Sequence, residues 1–467
     1  MTQMQSKHQM DKNTQTQVTW DTLVVGLGTT GLSVVRYLAD QEKDFAVTDS
    51  RLMPPGKDEL VKNYPQVPYY FGGFSPKVFM QPRQLIVNPG IAVATSEIQQ
   101  AKGNGAEIIG DIELFAREAK APIIAITGSN GKTTVTTLLQ LMAKKSQVMA
   151  QTGGNIGTPA LDLLAVEEAE KTELYILELS SFQLETTNSL KTATAVVLNI
   201  SEDHLDRYAG LEHYAATKGV IYNHCEQPLI NRDDAAAMAL AQGRATLSFG
   251  LDAPQQGHYG LRQKDNKTWL AKGELCLLAV DEMKLAGKHN QANALAALAM
   301  GEVVGLKQQA MLEVLTEYAG MDHRTQWVAK IDQVDWYNDS KGTNVGATLA
   351  ALEGLDGSIV LILGGQGKGA DFSPLKDAVK KNARAVILIG EDADLISLLL
   401  DGVVPEARAK SMEHAVKLAA SKAKIGDKVL LSPACASFDM FANYQARGDE
   451  FIACVNLLKQ QQEDSCQ

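Results

Sequence analysis

One pattern repeats along nearly the whole chain: a short run of β-branched and aliphatic residues ends on Gly, Asn or Asp, and a stretch rich in Ala and Leu at helical spacing follows. A strand covered on both faces is an unbroken apolar run, and a parallel neighbour is reached only through a long crossover, so the alternation predicts βαβ units and parallel sheets. The runs fall in three blocks. Thr22–Val25, Phe45–Thr48 and Leu85–Val87 form the first, and Ile123–Ile126, Leu174–Leu177 and Ala195–Leu198 the second. Val334–Tyr337, Ile359–Leu363, Ala385–Ile389 and Lys428–Leu431 form the third. An Ala-rich helical stretch, Leu285–Leu306, and a junction-like segment, Ala319–Arg324, separate the last two. The predicted organisation is a polar tail over 1–19 and three α/β domains over 20–110, 111–320 and 321–467.

A length of 467 residues accommodates these domains at roughly 100 to 200 residues each. Lys and Arg number 44 against 55 Asp and Glu, a formal charge of −11, which disfavours general affinity for nucleic-acid phosphates or anionic lipid. No apolar run approaches the roughly 18 to 20 residues that span a bilayer. The tail before Trp20 lacks the apolar core of a secretory signal, so a cytoplasmic protein without membrane insertion is expected. The five cysteines (Cys225, Cys276, Cys435, Cys454, Cys466) contain no C-x-x-C pair and are expected to be reduced and mostly buried.

Two glycine loops carry the chemistry. Gly26-Leu27-Gly28-Thr29-Thr30-Gly31 follows a strand and opens a helix, with Asp49 at the end of the next strand. Such a loop lets backbone approach a diphosphate that the helix N-terminus then stabilises. Ile123-Ile-Ala-Ile-Thr127-Gly128-Ser129-Asn130-Gly131-Lys132-Thr133-Thr134 is a strand, a phosphate loop and a helix start. There N–H groups cradle phosphates, Lys132 meets β/γ oxygens and the Thr133 hydroxyl can ligate Mg²⁺. Ile126 stands where the usual motif begins with Gly, so the loop is a variant. Glu178, at a third strand end, suits Mg²⁺, with a helix-capping acid as the alternative. Asn199-Ile-Ser-Glu-Asp203-His204-Leu-Asp206-Arg207 gathers further ligand types, whereas Lys218 by itself reads as a solvated helix lysine.

In order and spacing, several motifs resemble the Mur ligase family: Thr127–Thr133, Gly153-Gly-Asn155-Ile-Gly157, Glu178-Leu-Ser180-Ser-Phe-Gln183-Leu-Glu185 and Asp203-His204-Leu-Asp206. His289-Asn290-x-x-Asn293, His323-Arg324 and Asn338-Asp339-Ser-Lys341-Gly-Thr343-Asn344 continue the match. Within the family, Gly26–Gly31 and Leu431-Ser-Pro-Ala-Cys-Ala-Ser437-Phe-Asp look like the member that adds D-glutamate to UDP-N-acetylmuramoyl-L-alanine. The Asp-Asn-Pro-Arg motif of the diaminopimelate- or lysine-adding member is absent.

The resemblance implies a monomeric, ADP-forming amide-bond ligase. It would have an N-terminal Rossmann-like domain for the UDP-substrate, a central P-loop ATPase domain with a mostly parallel sheet, and a C-terminal Rossmann-like domain for D-glutamate. It implies Leu27, Gly28, Thr29, Thr30, Asp49, Ser50, Arg51, Asn155 and Ser180 for the UDP-substrate. For ATP it implies Gly128, Ser129, Asn130, Gly131, Lys132, Thr133, Thr134, Asn290, Asn293, Arg324 and Asp339. Lys132, Glu178, His204 and Lys218 become catalytic, with two Mg²⁺ sites drawing on Thr133, Glu178, His204 and a carbamylated Lys218. Lys341, Thr343, Lys368, Ser437 and Tyr444 would hold D-glutamate. Gln366 stands where relatives commonly carry Asp, and Tyr444 where a Phe gives a backbone donor. The alternatives are a sibling ligase or folylpolyglutamate synthetase, a dehydrogenase resting on Gly26–Gly31 alone, and a non-catalytic nucleotide sensor.

Overall fold

In the computed structural model, residues 20–165, 171–203, 207–241, 243, 247–285 and 287–465 are described. They divide into two compact units, one ending at Leu114 and the other starting at Phe115.

The first unit holds five strands: β1 (Thr22–Val25), β2 (Phe45–Asp49), β3 (Tyr69–Phe71), β4 (Gln84–Val87) and β5 (Glu107–Ile109). They pair in parallel in the order β3-β2-β1-β4-β5. The order reverses between β1 and β4, and ligands of such sheets bind outside the strand carboxyl ends at that reversal. Leu23, Val25, Leu85 and Val87 pack beneath it with Trp20 and Phe79.

The second unit contains two sheets. The larger has β6 (Ile123–Thr127), β7 (Ala150–Gly154), β8 (Leu174–Glu178), β9 (Lys191–Val197), β10 (His224–Asn231), β11 (Leu247–Phe249), β12 (Tyr259–Lys264), β13 (Lys267–Lys272) and β14 (Leu275–Ala279). Their order is β14-β13-β12-β11-β10-β9-β6-β8-β7. The pairings from β12 to β7 are parallel, whereas β12-β13-β14 is an antiparallel meander that the strand-helix alternation did not announce. Every residue of β6 is buried, as the apolar run demands.

The helix Lys132–Lys145 follows β6 and buries Val135, Leu138, Leu139 and Met142, one stripe of a helix at 3.6 residues per turn. Lys144 and Lys145 in its last turn complement the helix dipole. The predicted Ala-rich segment is the helix Lys288–Val303, which packs into the same core through Leu295, Leu298 and Met300.

The other sheet has β15 (Gln326–Ile331), β16 (Val334–Asn338), β17 (Ile359–Leu363), β18 (Ala383–Leu388), β19 (Glu406–Arg408) and β20 (Lys428–Leu431). Its order is β15-β16-β20-β17-β18-β19, parallel except for the edge hairpin β15-β16. The last strand thus inserts between β16 and β17 and brings their carboxyl ends beside its own. Apolar clusters cover both faces.

Of the four cysteines described, all free, only Cys435 is fully buried; Cys225, Cys276 and Cys454 are half-buried. Among the described residues no helix is long and apolar enough to cross a membrane.

Candidate active site

In the first unit, Gly26 adopts φ +97°, and a Cβ on Gly31 would stand 2.2 Å from the Gly26 carbonyl oxygen, so both positions require glycine. Gly28 differs, since a Cβ there meets nothing within 4 Å; its openness leaves room for a ligand rather than for the fold. Gly28 precedes the helix Thr29–Asp40 without a side-chain cap, which leaves first-turn N–H groups available. Asp49, 1% exposed, accepts from the Leu27 N–H at 2.8 Å and from Arg51 Nε at 2.9 Å. Burial alone would raise its carboxyl, but bonds from the Arg51 side chain and from the N–H groups of Arg51 and Leu27 hold it below the ordinary range. Ser50 and Arg51 are exposed beside it. Asn88, which sequence reasoning missed, directly follows β4 and donates to the carbonyls of Val25 and Gly26 at 2.9 and 2.6 Å, fixing the glycine loop. Its position in an Asn-Pro-Gly turn at a strand end was the available signal.

In the second unit, the loop after β6 is stitched to the loop after β9. Asn199 Oδ1 accepts from the Asn130 N–H at 2.8 Å, and Ser129 Oγ bonds the N–H and carbonyl of Ser201 at 2.9 and 3.0 Å. Gly131 has φ +85° and caps the helix Lys132–Lys145 without a side chain, leaving donors free for an anion. A Cβ there would lie 2.6 Å from Asn293 Oδ1, so the close approach also requires glycine. Lys132 Nζ donates to the carbonyls of Gly128 and Ser129 at 2.7 and 3.0 Å. Thr133 accepts from Arg324 Nη2 at 2.8 Å.

Glu178 is 1% exposed and sits at the end of β8. Its Oε1 accepts from Asn155 Nδ2 at 3.0 Å, while Oε2 is buried with no hydrogen-bond partner among the described residues. The nearby cap belongs to Ser180, which forms a reciprocal capping box with Gln183, so Glu178 is not a capping acid. Asn155 and Ser180, expected at the UDP-substrate, are thereby engaged in positioning Glu178 and the turn after it. Lys218 is 2% exposed, not solvated. Its Nζ meets the Gly128 carbonyl at 3.1 Å, Thr127 Oγ1 at 3.3 Å and the Tyr214 ring at 4.6 Å. Burial and the neighbouring Lys132 push the Lys218 ammonium well below its usual range. Lys132 is lowered too, by burial above all. His204, predicted as a metal ligand, lies outside the described residues, and among those no three His, Cys, Asp or Glu side chains gather to hold a metal.

A cavity of about 240 Å³ opens beside this loop. Asn130, Gly131, Thr134, Asn290, Asn293, Arg324, Asp339 and Lys341 line it. Asn290 and Asn293 are buried and joined at 3.2 Å; Gly287, not Asn290, precedes the helix as its cap. Phe249, Asn231 and Met321 also line the cavity and were missed; Phe249 and Asn231 end β11 and β10, which was the available signal, whereas Met321 lies in a loop and carried none. Arg324 is flanked by His323 and Thr325 at φ +64° and +44°, a strained backbone for a β-branched residue. Asp339 secures it, accepting from the Thr325 N–H at 3.1 Å and from Ser432 Oγ at 2.7 Å. Burial raises the Asp339 carboxyl to about 6. Lys341 is lowered to about 8 by burial, then by Arg324 and Lys132.

Of the remaining residues, Lys341 Nζ lies 4.0 Å from the Tyr444 ring centre, and Lys368 Nζ lies 5.3 Å from that of Phe438. Ser437 is buried, Thr343 half-buried and Lys368 exposed at φ +53°. Lys341 and Thr343 follow β16, Lys368 follows β17 and Ser437 follows β20, so two lysines and two hydroxyl side chains stand on the loops at the carboxyl ends of these strands.

Comparison with known proteins places three family models along the chain: the Mur ligase MurD-like N-terminal domain over residues 20–110, the Mur ligase middle domain over 126–301 and the Mur ligase glutamate ligase domain over 323–435. The chain is 51% identical to UDP-N-acetylmuramoylalanine–D-glutamate ligase of Marinobacter nauticus over 93% of its length and 97% of that protein. It is 50% identical to the Pseudomonas putida protein of the same name, over 92% and 96%. The solved UDP-N-acetylmuramate–alanine ligase of Thermotoga maritima shares the fold at a TM-score of 0.56 and 18% identity, over 94% of this chain and 100% of that one.

Proposed function

The chain belongs to the Mur ligase family, and we propose that it joins D-glutamate to UDP-N-acetylmuramoyl-L-alanine, with ATP converted to ADP and phosphate, in cytoplasmic peptidoglycan precursor synthesis. The observation that carries this reading is the identity of about half, over 93% and 92% of the chain, with two D-glutamate ligases. The chain acts as a monomer, without nucleic acid.

A carboxylate is a poor acyl donor. The alanyl carboxylate therefore attacks the γ-phosphorus of ATP, giving an acyl phosphate and ADP; the amine of D-glutamate then attacks the acyl carbon, phosphate leaves with one carboxylate oxygen, and the amine loses a proton. Catalysis consists of holding the reactants in line and neutralising charge. Lys132 exchanges its two loop carbonyls for β/γ oxygens, and the N–H groups of Gly128 to Thr134 surround the same phosphates. Asn290 and Asn293 take the adenosine, Arg324 the transferred phosphoryl group, and Asp339 holds the Arg324 turn in place. Leu27 to Thr30 bind the diphosphate, with Asp49, Ser50 and Arg51 about the uridine. Lys341, Thr343, Lys368, Ser437 and the backbone of Tyr444 hold D-glutamate.

The donor set suits Mg²⁺: the Thr133 hydroxyl and the Glu178 carboxylate are hard oxygens, and Glu178 Oε2 has no hydrogen-bond partner among the described residues. A second ion would draw on Glu178, His204 and Lys218. When bound, these ions neutralise phosphate charge. Lys218 meets a carbonyl, a hydroxyl and a ring face, not a carboxylate, among the described residues, which supports conversion of its neutral amine by CO₂ to a carbamate with release of one proton.

The test is phosphate release from ATP with UDP-N-acetylmuramoyl-L-alanine and a panel of amino acids, for the wild type and Lys132→Ala. The reading predicts release that requires D-glutamate and is lost in the variant. Release with another amino acid instead would make the chain a sibling ligase, and release unchanged in Lys132→Ala would remove the phosphate loop from the reaction.

A further inference from the structure

Arg447, on the helix Tyr444–Ser465, is 2% exposed, and among the described residues none of its hydrogen bonds goes to a carboxylate. Its Nε donates to Ser340 Oγ at 3.0 Å and its Nη2 to the Ser340 carbonyl at 2.8 Å. Both Nη atoms donate to the Cys435 carbonyl at 3.1 Å, and Nη1 also reaches the Ala436 carbonyl at 3.4 Å. All five N–H groups are therefore spent on two loops, the one after β16 and the one after β20. A third loop closes on the same group: a Cβ on Gly365 would lie 3.2 Å from Nη1, and Gln366 exchanges both backbone bonds with Ala436 at 2.9 Å. Ser340 Oγ in turn donates to the Tyr444 carbonyl at 2.8 Å, which ties in the first turn of the helix whose ring lies against Lys341.

Each of these loops carries part of the amino-acid site: Lys341 and Thr343 after β16, Lys368 after β17, Ser437 after β20. A tie between loops needs no charge, and a buried cation costs desolvation that neutral carbonyls repay only in part. A planar fork, however, fixes the spacing and angle of several acceptors at once, which a flexible ammonium does not. A dicarboxylate bound at two points is sensitive to that spacing, and a buried positive charge unpaired by a carboxylate bond adds attraction for a dianion.

We propose that Arg447 is a positioning residue for the amino-acid acceptor: it sets the separation of the three loops that grip the two carboxylates of D-glutamate. This rests on the reading of these loops as the D-glutamate site.

The test is steady-state kinetics of Arg447→Lys, which keeps the charge and loses the fork, with thermal unfolding as a control. The KM for D-glutamate is expected to rise about tenfold or more, as loss of charged hydrogen bonds at a buried site predicts, with the KM values for ATP and the UDP-substrate within about twofold. A merely structural role would lower the melting temperature and kcat and leave the D-glutamate KM in place, and that result overturns the proposal. Should Arg447→Lys not fold, Ser340→Ala removes the acceptor of Nε together with the bond to the Tyr444 carbonyl; it is expected to raise the same KM about threefold, and an unchanged KM there overturns the proposal equally. A wild type that makes no use of D-glutamate would sink the underlying reading, whereas a wild type that uses it beside an indifferent, folded Arg447→Lys would sink this inference only.

Discussion

At Lys218 local sequence and final environment disagree most. A lysine beside Thr217 in a short helix has every local reason to face water, and only its place relative to other motifs marked it out. Burial on the far side of the phosphate loop is a tertiary fact, set by Thr127, Gly128 and Tyr214 from elsewhere in the chain. In ¹³C-bicarbonate buffer the wild type should show a carbamate carbon resonance that Lys218→Ala lacks; identical spectra would remove the carbamate from the account. Asp339 and Lys341 give a second prediction. Asp339 sits at about 6 and Lys341 at about 8, so kcat/KM should fall below the first as Asp339 gains a proton and above the second as Lys341 loses one. Lys341→Arg should extend the alkaline limb upward. The sign for stability follows. The folded pKa of Asp339 is raised from 3.8 to about 6, so its favourable contribution is complete below 3.8 and is lost as pH rises through about 6. At neutral pH the ionised Asp339 therefore costs stability. Asp339→Asn should abolish ligation without lowering, and by up to about 3 kcal/mol raising, stability at pH 7.5 in a urea titration.

The glycine loops show which parts of an element the sequence makes legible and which it leaves blended. Both loops were readable because strand, glycines and helix start occur in one continuous stretch. What the motif could not separate was glycine needed by the fold from glycine needed by a ligand. Gly31→Ala drives a Cβ to 2.2 Å from a carbonyl oxygen and should destabilise by about 1–3 kcal/mol or more. Gly28→Ala meets open space; it should leave stability within about 1 kcal/mol and weaken UDP-substrate binding, checked by thermal unfolding and calorimetric titration. A weakened fold in Gly28→Ala would contradict this division. The β12-β13-β14 meander was illegible for a different reason: antiparallel edge strands alternate polar and apolar residues, and that alternation is weak beside the long apolar runs of the parallel core.

Across the second unit, groups from distant stretches of chain meet: Arg324 reaches Thr133, Asn344 approaches Asn130 at 3.5 Å, and Lys341 feels the charges of Lys132 and Glu178. The motifs were each visible in sequence, and their roles came through resemblance; that they converge is set by strand order, above all by β20 entering between β16 and β17. Arg324→Ala should lower kcat/KM for ATP about a hundredfold, since a phosphate-directed cation is lost, while changing stability by less than about 1 kcal/mol, because among the described residues its guanidinium donates to one hydroxyl. The central claim is that a carboxylate is activated by phosphoryl transfer and then opened by an amine. UDP-N-acetylmuramoyl-L-alanine labelled with ¹⁸O in both carboxylate oxygens, turned over with ATP and D-glutamate, tests it directly by mass spectrometry. The account predicts one ¹⁸O atom in each phosphate released and one retained in the new amide; phosphate free of label would contradict it.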